Sequence, residues 1–110
     1  MKKRIADQAE VSIDFPDKFY MGSFGRHSSY EVSADDEGIH IYLDRKAGEK
    51  RRVGFHLHYY LLSDVLSSIG EAISGLKELD EPHRESLERA AQGLAEALAQ
   101  PGGKPGQTRG

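Results

Sequence analysis

A chain of 110 residues with net charge −3, pI about 5.9 and no cysteine has the size of one domain and lacks the bulk positive charge of proteins that coat nucleic acid. The missing thiols exclude disulfides, thiolate catalysis and cysteine-bound zinc, and they fit a reducing, cytoplasmic setting. Hydrophobic residues make up 37%, below the usual globular share, and part of that deficit lies in the two ends.

The basic start, Lys2, Lys3 and Arg4, is not followed by an apolar run, because Asp7, Gln8 and Glu10 interrupt it. No stretch approaches the roughly 18 apolar residues of a membrane span. Residues 1–10 are expected to be a flexible N-terminus, 11–99 a single α+β domain and 100–110 a disordered tail. Val11, Ile13 and Phe15 alternate with Ser12 and Asp14, the period of a half-buried strand. Pro16 ends that strand or confines it to an edge. A second extended piece is expected over 19–24, then a loop through Gly25, Arg26, His27, Ser28 and Ser29.

Tyr30, Val32 and Ala34 alternate again, and Asp35, Asp36, Glu37 and Gly38 have turn chemistry. Ile39, Ile41 and Leu43 then alternate with His40, Tyr42 and Asp44, and Val53, Phe55 and Leu57 resume the pattern. With Ala47, Gly48 and Glu49 closing a hairpin, Lys46 pairs with Lys50, His40 with His56, Ile41 with Phe55 and Leu43 with Val53. The period switches near Tyr59: Leu62, Val65, Leu66, Ile69, Ala72, Ile73 and Leu76 trace one helix face. That helix is expected to start between Tyr59 and Ser63 and to end near Leu79. Asp80, Glu81 and Pro82 suit the start of a second helix, whose stripe of Leu87, Ala91, Leu94 and Leu98 is narrow.

The fold expected is an α+β one: a small antiparallel meander of three to five strands, followed by two C-terminal helices with the first packed on the sheet. The expected core is Val32, Ile39, Ile41, Leu43, Val53, Phe55, Leu57, Leu62, Leu66, Ile69 and Ile73.

Four features bear on function. His40, His56 and His58 fall on one outer strand face, and imidazoles so placed suit zinc or another transition metal. Arg45, Lys46, Lys50, Arg51 and Arg52 crowd one hairpin end beside Tyr42, an arrangement able to hold nucleic-acid phosphate while the ring stacks on a base. Gly22 to Ser29 offers glycines, an arginine and hydroxyls for a phosphate, but it lacks the Lys-Ser/Thr of a P-loop, and a plain connecting loop is the favoured reading. Ser63, Ser67, Gly70 and Ser74 form a stripe of small residues on the first helix, open to close approach by the second helix or by a symmetry mate.

The segment from Tyr30 to Ile73, including the strand Val53-Gly54-Phe55-His56-Leu57 that runs into the helix, resembles the single-stranded-DNA-binding transcriptional coactivators. That resemblance implies a curved sheet whose face binds the single strand and a helix that dimerises. The acidic net charge and the extra helix depart from the family. No motif pairs a nucleophile with a base. The expectation is a non-enzymatic binding or protein-interaction module without a cofactor, homodimeric through its first helix. Single-stranded nucleic acid or a histidine-bound metal is the alternative ligand, and no membrane is involved.

Overall fold

The computed structural model describes residues 2–45 and 52–100. Six strands precede two helices: β1 Lys2–Arg4, β2 Ala9–Phe15, β3 Lys18–Phe24, β4 Ser29–Ala34, β5 Gly38–Asp44, β6 Arg52–His58, α1 Tyr59–Ser74 and α2 Glu81–Ala99. They form a four-stranded antiparallel sheet in the order β1-β4-β5-β6 and a separate β2-β3 hairpin. The class is α+β, as the period switch at Tyr59 predicts. By contact the chain divides into two compact units, Met1–Ser68 and Ile69–Gly110.

The central hairpin has the expected register: Ile41 opposes Phe55, His40 opposes His56 and Leu43 opposes Val53. The proposed Lys46–Lys50 pair lies outside the described residues. Strict alternation along β4, β5 and β6 sorts the sheet into two faces. Val32, Ile39, Ile41, Leu43, Val53, Phe55 and Leu57 share one, and Glu31, His40, Tyr42, Asp44, Arg52, His56 and His58 share the other.

The N-terminus departs from expectation. Lys2, Lys3 and Arg4 pair with Glu31, Tyr30 and Ser29 as an edge strand. Ile5 follows as a buried anchor, its amide donating to the Ser28 carbonyl at 3.0 Å. A three-residue strand is too short to display a two-residue period. What recruits it is the hydrogen-bonding edge that β4 offers, which no local pattern in residues 1–10 announces. The β2-β3 hairpin turns through Pro16 and Asp17 and pairs Val11 with Gly22 and Ile13 with Tyr20. Phe24 at its base is fully buried.

α1 follows β6 without a linker and contacts β5 and β6. It stops at Ser74, earlier than the expected Leu79. The Gly75 amide reaches back to the Glu71 and Ala72 carbonyls at 3.2 Å each, closing the last turn. α2 begins as expected: Asp80 caps it, its Oδ1 accepting the His83 amide at 3.0 Å.

The expected core is only partly enclosed by one chain. Ile39, Ile41, Leu43, Val53, Leu57 and Leu62 are half-buried, whereas Val32, Phe55, Leu66, Ile69 and Ile73 remain exposed. Neither helix has a buried residue. The pattern of side chains dictates which faces are apolar; it does not dictate what covers them.

Candidate functional site

The polar face of the sheet is built on the β5-β6 register. Because the strands are antiparallel and in phase, His40 and His56 lie directly opposite and stack, ring centroids 3.9 Å apart and 9° from parallel. His58, two residues on, tilts against His56 at 4.7 Å. The three histidines predicted to cluster therefore do so.

The turn before β5 adds two carboxylates that the sequence offered only as turn residues. Asp35 Oδ1 accepts the amides of Glu37 and Gly38 at 2.8 and 2.9 Å. Its other oxygen, Oδ2, shares a 2.8 Å hydrogen bond with His40 Nε2. The Asp35 carbonyl accepts the Tyr59 hydroxyl at 2.7 Å, tying the start of α1 to this turn. The His40 side chain, then the Glu37 and Gly38 amides, hold the Asp35 carboxyl well below the usual carboxylate range. Asp35, His40 and His56 each bring a ligand atom within 4.8 Å of the others, and so do Glu37, His56 and His58. The signal available in sequence was the sharp turn ending at Gly38, which folds the acidic run back towards the strand that carries His40.

Gly38 makes the approach possible. A Cβ there would stand 2.2 Å from the Leu57 carbonyl oxygen and 2.9 Å from His58 Cα. Any larger residue forces β6 away from the turn. Gly54 plays a parallel part under Tyr42, its cross-strand partner: a Cβ would meet the ring at 2.8 Å.

The predicted cationic end is only partly visible. Lys46, Lys50 and Arg51 lie outside the described residues. Arg52 caps the Tyr42 ring at 4.0 Å and meets Asp44 at 3.0 Å and Glu31 at 3.1 Å. Its charge is thus shared with two carboxylates, and one face of Tyr42 is covered. Arg45 instead joins Lys2, Lys3, Arg4 and Arg26 around an open groove of about 530 Å³. Asp44, the one acidic residue lining the groove among the described residues, stands 3.7 Å from the Lys2 ammonium. Arg4 Nε donates to the Arg26 carbonyl at 3.2 Å, fixing strand to loop. His27, Ser28 and Ser29 also line it, so the groove is bordered by the β3-β4 connection, residues 25–28, although Gly22 to Phe24 of the expected phosphate segment belong to β3. The N-terminal share was missed, because Lys2 to Arg4 read as a flexible end.

Compared with protein-family models, with curated proteins and with solved structures, the chain matches none of them. Among the described residues no helix is long and apolar enough to cross a membrane.

Proposed function

We propose that the chain is a non-enzymatic binding module that works as a homodimer, with a second copy covering the apolar ridge of α1. One observation carries this reading. Leu66, Ile69 and Ile73 stand in line on one helix face and remain 42%, 47% and 37% exposed. A contiguous apolar ridge left in water marks an absent partner.

Three features of α1 favour a second copy as that partner. Its only charged residues are Asp64 and Glu71, so no array of charges calls for a complementary foreign surface. The ridge is flanked by Ser63, Ser67, Gly70 and Ser74, whose small side chains let a helix approach closely. A ridge beside a shallow stripe is also self-complementary about a two-fold axis.

Light scattering tests this. The wild-type chain is expected at twice its 12.2 kDa mass, and Ile69→Asp at the single-chain mass with unchanged circular dichroism. A wild-type mass of one chain at high micromolar concentration contradicts the reading.

A second reading, binding of single-stranded nucleic acid, is favoured by the groove of Lys2, Lys3, Arg4, Arg26 and Arg45. It also draws on the resemblance to the coactivators, as analogy alone. Phosphates neutralised there release counterions. Short single-stranded oligonucleotides are therefore expected to bind with an affinity that falls with salt, and Arg4→Ala to flatten that dependence. An NMR spectrum unmoved by oligonucleotide at low salt removes this reading. We also propose a cytoplasmic location, with which the lack of cysteine is consistent.

A further inference from the structure

We propose that Asp35, His40 and His56 form a binding site for a zinc-class divalent cation, with Glu37 and His58 flanking it. The inference goes beyond self-association and stands on a different part of the chain.

The donor set comes first. Two imidazoles and a carboxylate suit borderline cations such as Zn²⁺, Ni²⁺ or Cu²⁺, whereas Mg²⁺ and Ca²⁺ prefer all-oxygen shells. The ligand atoms of Asp35, His40 and His56 lie within 4.8 Å of one another. Those of one tetrahedral zinc ion lie about 3.3 Å apart, given bonds of about 2.0 Å. The Asp35 Oδ2–His40 Nε2 edge, at 2.8 Å, is already at that scale.

Pre-organisation comes second. Asp35 is not a loose surface carboxylate, because the Glu37 and Gly38 amides fix Oδ1 and leave Oδ2 directed at His40. His40 is half-buried, and the β5-β6 register holds its ring parallel to His56. Gly38 keeps β6 close enough for both strands to reach one ion. Such backing of the ligands by the main chain is what sets a metal site apart from a chance histidine cluster.

Ligand choice comes third. His56 belongs to both clusters, so a bound ion takes one set at a time. The turn-locked Asp35 and half-buried His40 favour the first set. Three protein ligands leave one position of a tetrahedral ion open to water, a sulfur or nitrogen donor, or a group from another protein.

The test uses the full chain, labelled with ¹⁵N and titrated with ZnCl₂, then with chelator. Resonances of Asp35, His40 and His56 are expected to move together and return, while His27 and His83 stay still and MgCl₂ does nothing. By calorimetry, His56→Gln and Asp35→Asn are expected to weaken zinc binding at least about tenfold, whereas His83→Ala leaves it unchanged. The Ile69→Asp variant is expected to bind zinc like wild type, which separates this site from self-association. A wild-type spectrum silent to millimolar zinc, shifts centred on His83 or His27, or unaltered affinity in His56→Gln overturns the proposal. The wild-type titration decides the matter even where a variant fails to fold.

Discussion

At the residue scale, the most informative side chain is Asp35. One oxygen closes its own turn, and the other meets His40. Its folded-state pKa lies below the ordinary value of 3.8. The ionised carboxylate therefore adds stability above that value, and the contribution is lost as the pH falls through the folded pKa. In the presence of chelator, Asp35→Asn is expected to melt below wild type at neutral pH, with the gap closing in strong acid. A gap of constant size across thermal melts from neutral to strongly acidic pH contradicts this role. His40, His56 and His58 were legible in the sequence because a two-residue period and a hairpin register suffice to bring them together. Asp35 and Glu37 were not, because a turn's chemistry says that the chain reverses, not which way its carboxylates point. Lys2, Lys3 and Arg4 were illegible for another reason: their partner, the edge of β4, is more than twenty residues away.

At the element scale, β5, β6 and α1 were readable because each carries a long, unmixed period. The end of α1 was not, since Gly75 competes with an apolar pattern that runs on to Leu76 and Leu79. Gly70 offers the sharpest test of what α1 does. Within one chain a Cβ at Gly70 meets nothing within 4 Å. Alanine there should stabilise the helix by about 1 kcal/mol if the position faces only water. If a second α1 approaches closely, the same methyl collides with it, and overpacking of that kind costs about 1–3 kcal/mol. Gly70→Ala is therefore expected to raise the helicity of the dissociated chain and to weaken the dimer in sedimentation equilibrium. A tighter dimer, or one of unchanged affinity, places the stripe outside the interface.

At the scale of the whole molecule, the chain leaves much of its apolar surface uncovered. The exposed ridge on α1, Val32 and Phe55 on the sheet, and Phe15, Phe19 and Met21 on the β2-β3 hairpin all reach water. A chain of this size has little stability in reserve, so burial of these faces between copies is expected to raise the stability of an already folded chain. The sequence showed which faces were apolar because periodicity reports the side of an element. It was silent on what covers them, because periodicity carries no information about the surface opposite.

Self-association through α1 is tested most directly by isotope-filtered NOE spectroscopy on a mixture of labelled and unlabelled chains. Contacts between copies are expected among the methyl groups of Leu66, Ile69 and Ile73. A filtered spectrum without such contacts, at concentrations where the chain is folded, contradicts the account.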